Sequence, residues 1–277
     1  MRISIVTPTL NAERFISDCV NSVRHALAGL EYEHVIIDGV STDGTWEYLK
    51  MQPDLRLFQG RDGGMYEALN RGVQESRGEL IGHLNADEQY NREGVLDVMQ
   101  KFQSLAVDAV LGPTIMVGPH QQFMQVLKQV VAPMPVDADW HMPVQTCSFF
   151  YRRKLWERFP YPTRYRLAGD HAWVREQLKR GAIFFSVRKP IGIFTWHGDN
   201  LSCGEHPGEP ELLDANLKKS ARIQIAKLIY RGRKFLADGY VREPVEYEIF
   251  SEGKVQKIRI EKPVLRIRDF AYYRSKG

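Results

Sequence analysis

Four short apolar runs in the first ninety residues end abruptly in polar breaks, and this repetition constrains the fold more than any other feature. Ile3 to Val6 stops at Pro8-Thr9-Leu10-Asn11, and Glu33 to Asp38 stops at Gly39. Leu55 to Gln59 stops before Arg61-Asp62-Gly63-Gly64, and Leu80 to Leu84 stops at Asn85-Ala86-Asp87-Glu88. Between the runs lie segments with helical spacing. Ala12 to Leu27 carries Phe15, Cys19, Val20, Val23 and Leu27, a second segment carries Trp46, Tyr48 and Leu49, and a third spans Met65 to Ser76. Short apolar runs separated by helical patterns build strand–helix–strand units and hence a parallel sheet. The expected class is α/β, a mostly parallel, Rossmann-like sheet flanked by helices.

In open sheets of this kind, ligands collect in the crevice beyond the carboxyl ends of the strands. The most informative break is IGHLNADEQY, Ile81 to Tyr90, which places acidic oxygens at a strand's end. Magnesium is usually held by one or two carboxylates together with substrate phosphates and water. The run therefore reads as an incomplete metal site awaiting a diphosphate. Taken alone, Asn-Ala-Asp is equally well explained as turn chemistry, so the rest of the chain decides.

A further helix is expected near Glu93 to Phe102 and a strand at Ala109 to Gly112, followed by a long irregular stretch containing Pro113, Pro119, Pro133, Pro135 and Pro143. Such stretches often form lids or binding loops. Gln145 to Arg152 alternates toward a strand, Asp170 to Arg180 reads as a helix, and Phe184 to Val187 and Ile191 to Phe194 read as short strands. Beyond His206 the composition shifts. Leu212, Leu213, Leu217, Ala221, Ile225, Leu228 and Ile229 recur at helical spacing among lysines and arginines, a basic amphipathic pattern. Val245 to Phe250 and Val255 to Ile260 flank the hairpin signal Ser251-Glu252-Gly253-Lys254.

The chain divides accordingly into residues 1–205, expected to form the ligand-binding domain, and 206–277, a basic appendage. The net charge of +4 conceals the split: the appendage holds 16 Lys/Arg against 10 Asp/Glu, the remainder 22 against 24. An anionic partner for the appendage is implied, with a membrane surface or an acidic substrate as candidates; a solvated helical face or a dimer contact through Leu212 to Leu236 are the alternatives. Cys19, Cys147 and Cys203 are too few and too scattered for a disulfide framework or zinc cluster. The strand pattern begins at Ile3, and no apolar run is long enough to span a bilayer. A cytoplasmic location is expected, with the inner membrane face as a peripheral site.

Five segments in order, VTPTLNAE (Val6 to Glu13), EHVIIDGVSTDGT (Glu33 to Thr45), RDGGMYEALNRGV (Arg61 to Val73), GELIGHLNADE (Gly78 to Glu88) and AGDHAW (Ala168 to Trp173), resemble the successive motifs of the family 2 glycosyltransferases. The resemblance covers roughly residues 1 to 203. It implies a GT-A fold, inversion at the sugar carbon, a nucleotide-diphosphate sugar donor, most often uridine-based, and Mn²⁺ or Mg²⁺ as cofactor.

On that resemblance, Pro8 and Thr9 after the first strand and Asp38 after the second hold the nucleoside, a carboxylate being able to accept from a base N–H or a ribose hydroxyl. Asp62 occupies a third donor-side position, where Gly63 and Gly64 allow close backbone approach. Ser41, Thr42 and Asp43 are expected to do structural work, Thr42 or Asp43 capping the next helix. Asp87 matches the metal-binding carboxylate of the family's DxD motif. Asn85 and Ala86 depart from that motif, leaving Asn85 as a neutral ribose contact and Glu88 as a compensating metal ligand. Asp170 is the expected general base, and His197 a further metal ligand. Gln145 is a candidate sugar or acceptor contact, and Trp140, His141, Trp173 and Trp196 are candidate stacking surfaces.

The expected activity is transfer of a sugar to a hydroxyl of a glycan or lipid-linked acceptor in cell-envelope polysaccharide synthesis, with no nucleic-acid partner. A dinucleotide-dependent oxidoreductase is excluded because Pro8-Thr9-Leu10-Asn11 replaces a glycine cradle. A nucleotidyltransferase lacks its Gly- and Arg-containing loop for the same reason. A non-catalytic sugar-binding protein is favoured by Asn85 and Ala86 but opposed by Asp38, Asp87 and Asp170 together.

Overall fold

A computed structural model of the chain describes residues 1–141, 145–201 and 220–265. Cys203, the segment from Leu212 to Lys219 and the end of the Leu265 to Tyr273 tail lie outside the described residues.

The expected alternation forms as β1 (Ile3–Thr9), α1 (Ile16–Ala26), β2 (Tyr32–Asp38), α2 (Thr45–Lys50), β3 (Leu55–Gln59), α3 (Met65–Glu75) and β4 (Leu80–His83). Next come β5 (Glu88–Tyr90), α4 (Arg92–Ser104), β6 (Ala109–Leu111), β7 (Thr114–Val117) and β8 (Phe123–Leu127). Two 3₁₀ turns, Asp137–Asp139 and Thr146–Ser148, precede β9 (Phe149–Arg152), α5 (Arg153–Arg158), α6 (Gly169–Lys179), β10 (Phe184–Ser186) and β11 (Gly192–Thr195). Helix α7 (Ala221–Leu236) and the hairpin β12 (Val245–Ser251) and β13 (Lys254–Ile260) close the described chain.

The main sheet runs β10-β6-β9-β4-β1-β2-β3. All its pairings are parallel except those of β9, which is antiparallel to both β4 and β6. Alternation along β1 and β4 explains the layering. Ile3, Ile5 and Leu80 pack with Cys19 and Val23 of α1 and Val95 and Val98 of α4. Val6 and Ile81 face the opposite side with Leu69 and Val73 of α3 and Trp173 and Val174 of α6. A sheet buried on both faces reads as near-continuous apolar runs, which is why β1, β2 and β4 were so legible. Helix α3 comes close to the sheet because Gly72 sits over Val6, where a Cβ would collide with the valine side chain.

The irregular stretch holds more structure than its prolines suggested. Strands β7 and β8 join β5 and β11 in a second sheet of order β5-β11-β7-β8. The hairpin packs on it: Tyr247 and Ile249 share a buried cluster with Ile115, Val117, Val126 and Ile193. Gln89 Nε2 donates to the Phe250 carbonyl at 3.0 Å while Phe250 N donates to Gln89 Oε1 at 2.7 Å. In the hairpin turn, Glu252 and Gly253 both take positive φ, 52° and 76°, as a right-twisted two-residue turn requires.

Candidate active site

Parallel pairing brings the polar breaks to one edge of the sheet. Thr9 lies opposite Asp38, and Asp38 opposite Gln59, in the registers of β1, β2 and β3. Strand β4 flanks β1 on the other side, with His83 opposite Val6, so β2 and β4 run roughly 10 Å apart across β1. Helix α6 leads into β10, which is parallel to β6, so its first turn belongs to the same edge. Asp38, Asp87 and Asp170 therefore share one side of the molecule.

Asp38 is fully buried. Its Oδ2 accepts from the backbone of Val40 and Ser41 at 3.1 and 3.0 Å and from Gln59 Nε2 at 3.0 Å, while Oδ1 accepts from Ser41 Oγ at 2.6 Å. These bonds hold Val40 at a positive φ of 69°, costly for a β-branched residue. Asp38 thus builds the turn that faces the crevice. Asp62 lies beside it, with an oxygen 3.7 Å from where a Cβ on Gly39 would sit, and its other oxygen accepts from Gly64 N at 3.0 Å. Burial, the Glu67 carboxylate and Asp38 together raise its pKa.

The loops after β1 and β2 are tied together. Asn11 Oδ1 accepts from Thr42 N at 2.8 Å, Asn11 N donates to Ser41 Oγ at 2.9 Å, and Ala12 N donates to Thr45 Oγ1 at 2.8 Å. The expected cap differs in detail. Gly44 is the N-cap of α2, and Asp43 acts from one residue earlier, accepting from Thr45 N at 3.0 Å and Glu13 N at 3.1 Å.

At the end of β4, Asp87 meets two residues from the loop after β11. His197 Nε2 lies 3.0 Å from Asp87 Oδ2, and Asn200 Nδ2 donates to the same oxygen at 3.0 Å. Asn200 Nδ2 also donates to the Thr195 carbonyl at 2.8 Å, and its Oδ1 accepts from His197 N at 3.0 Å. Phe15 packs against the imidazole, centroids 4.8 Å apart. Asp87 and His197 are separated by 110 residues, so their pairing was invisible in local pattern. Asn200 was missed because nothing marks an asparagine in a loop as the partner of a distant aspartate.

A carboxylate and an imidazole in contact fit a divalent cation whose remaining ligands are phosphate oxygens and water. Among the described residues no three metal-ligating side chains cluster, so this pair would hold an ion only with the diphosphate's help.

Glu88 does not join them, a correction to the expected ligand set. Its side chain is buried at 1% exposure, and Oε2 accepts from Asn85 N at 2.8 Å. Burial, then the neighbouring Asp87 charge, raises its pKa to about 8. Alternation along β5 turns Glu88 inward. Asn85 has a similar local duty: His83 Nε2–H donates to its Oδ1 at 2.9 Å. An aspartate there would add a third carboxyl beside Asp87 and Glu88, which accounts for the neutral residue.

Asp170 lies in the first turn of α6, at 7% exposure. Its Oδ1 accepts from His171 N at 2.7 Å and lies 3.1 Å from Tyr66 Oη, which also reaches the Leu167 carbonyl at 2.6 Å. Tyr66 stands in the first turn of α3, directly after the Asp62 loop, so it links the two halves of the site. It lay within RDGGMYEALNRGV but carried no signal of its own.

Of the aromatic candidates, Trp173 is fully buried and donates Nε1–H to the Phe159 carbonyl at 2.6 Å, so it is core and offers no stacking face. Trp140 and His141 stack on each other beneath Tyr230 of α7. Trp196 alone of the four is exposed, at 36%. Gln145 is buried at the start of the second 3₁₀ turn.

Comparison with known proteins identifies the fold and the family. A PGL/p-HBAD biosynthesis glycosyltransferase of Mycobacterium bovis is 30% identical over 178 residues, covering 60% of this chain and 66% of that protein. Among solved structures, Staphylococcus aureus TarS 1-349 in complex with UDP-GlcNAc aligns with a TM-score of 0.61 at 20% identity, over 74% of this chain and 62% of the other. The mannosyltransferase PcManGT from Pyrobaculum calidifontis, in complex with GDP-Man and Mn²⁺, aligns with a TM-score of 0.54 at 18% identity, over 72% and 57%. Likeness at these identities establishes the GT-A fold. The sequence profile described as Glycosyl transferase family 2 matches residues 4–177, well over half the chain, and the chain belongs to that family of glycosyltransferases.

Proposed function

We propose that this glycosyltransferase moves a sugar, with inversion, from a nucleotide diphosphate to a hydroxyl of a glycan or lipid-linked acceptor in cell-envelope polysaccharide synthesis. The observation that carries the reading is the contact of Asp87 with His197 at 3.0 Å, on the sheet edge that also bears Asp38, Asp62 and Asp170. The donor nucleoside would lie over Pro8 and Thr9, against the turn that Asp38 and Asp62 hold, with Asn85 at the ribose. Asn85 Oδ1 is engaged by His83, so its Nδ2 is the group offered to the donor.

Asp170 is the general base. The acceptor oxygen attacks the anomeric carbon as the bond to the diphosphate breaks; the leaving group keeps the electron pair and Asp170 takes the acceptor's proton. The start of α6 favours the ionised carboxylate, and Tyr66 and His171 N fix Oδ1 for that task. Asp87 and His197 would hold the metal, and when bound a divalent cation supplies positive charge for the departing diphosphate.

A uridine donor is supported by the UDP-GlcNAc complex of the TarS relative, and Mn²⁺ by the PcManGT complex. Calorimetry with UDP and GDP, each with and without Mn²⁺, tests the assignment. Asp87→Ala should abolish the metal-dependent part of binding. Equal, metal-independent binding in both proteins would overturn it.

A further inference from the structure

Among the described residues, helix α7 is docked on one side and bare on the other. Ile223, Ala226, Tyr230 and Lys234 are buried, Ile223 and Tyr230 against Trp140 and Val136 beside the turn at Asp137–Asp139. At 100° per residue, Ile225, Leu228, Ile229, Phe235 and Leu236 form a stripe on roughly the opposite face. Leu228, Phe235 and Leu236 are 72%, 71% and 82% exposed. The flanks carry basic residues, Lys227 and Arg231 on one side and, on the other, Arg222 and Arg233, which pair with Asp139 at 3.6 Å and Asp137 at 3.2 Å; the helix itself contains no acidic residue.

We propose that this face of α7 is a docking surface for an anionic phospholipid bilayer, into whose headgroup region the apolar stripe inserts. A central apolar stripe between two cationic borders is complementary to acyl chains beneath negative headgroups. It is poorly complementary to a second copy of itself, because pairing two such stripes would bring their basic borders together. Arg233 stays anchored to Asp137 at 3.2 Å, so the helix is presented without leaving the body. The turn it rests on also supports α6, where His171 Nε2–H donates to the Ala138 carbonyl at 2.9 Å beside Asp170. On the transfer reading above, docking would bring a lipid-linked acceptor to the side of the molecule that carries the base. The docking itself is independent of that reading.

Flotation of the full chain with phosphatidylglycerol–phosphatidylcholine vesicles, against phosphatidylcholine alone, tests the proposal without any activity readout. Binding to the anionic vesicles only is expected. Arg222→Gln with Arg231→Gln should weaken it by about 25-fold, at roughly fivefold per basic residue. Leu228→Ser with Leu236→Ser, both at exposed positions, should abolish it while leaving the thermal transition in place. Binding unaffected by either pair overturns the proposal, as does failure to bind anionic vesicles. A dimer in sedimentation that Leu228→Ser with Leu236→Ser converts to a monomer, without vesicle binding, assigns the stripe to self-association instead.

Discussion

At the residue scale, the candidate base is defined by what holds it. One oxygen of Asp170 is fixed by Tyr66 and by the backbone of His171. Replacing it with asparagine preserves size and most of these contacts but removes the proton acceptor. Asp170→Asn should lower kcat by two to four orders of magnitude, the usual range for general-base catalysis, with the Kd for the donor nucleotide almost unchanged. Steady-state kinetics beside nucleotide titration separates the two, and parallel loss of turnover and affinity would contradict the role. The place of Asp170 at a helix start was legible because it lies within AGDHAW, at the head of a helical pattern. Glu88 was misread because adjacency to Asp87 in sequence says nothing about which side of a short strand a carboxyl takes.

At the scale of elements, the crevice rests on the bracing of the β1–α1 loop against the β2–α2 loop. Asn11 adopts a positive φ of 49°, tolerable for asparagine, and supplies the acceptor for Thr42 N. Asn11→Ala loses the bond and strains the backbone, at a cost of about 1–2 kcal/mol. Asn11→Gly should recover only the backbone part. Denaturant midpoints for the two variants check this, and an unchanged midpoint for Asn11→Ala would remove the bracing argument. Of the first four strands, β1, β2 and β4 were readable because each is buried on both faces, and the half-buried edge strand β3 from its short run between polar breaks. The second sheet was only partly so: β11 was expected at Ile191 to Phe194, but β5 and β7 span three and four residues, too short for a period, and prolines interrupt the stretch around β7. The hairpin was visible from its turn residues, whereas its seat on the second sheet depends on contacts more than 100 residues apart.

At the scale of the whole molecule, the same burial that makes the core imposes a pH limit. His34, His83, His141 and His171 are each at most 7% exposed, and burial pushes their pKa values down to about 3, 4, 3 and 4. A base whose pKa is depressed by folding contributes stability that is present above its unfolded value, about 6.5, and lost as pH falls toward the folded one. Each such group costs about 1.4 kcal/mol per pH unit in that window. Glu88 works in the opposite sense: its raised pKa makes it most compatible with the fold when acid, so it offsets one histidine between about pH 6.5 and 4.5. The net slope is roughly 4 kcal/mol per pH unit, against a total stability of about 5–15 kcal/mol for an ordinary domain. Because the four residues lie on β2, on β4, after the first 3₁₀ turn and on α6, their protonation should unfold the structure as a whole. Urea titrations at pH 8, 7, 6 and 5 should show stability falling steeply below about pH 6.5. His83→Gln, which keeps a donor to Asn85 Oδ1, should shallow that slope by about 1.4 kcal/mol per pH unit. A free energy of unfolding that stays flat from pH 7 to 5 would mean that these imidazoles meet water in the folded chain.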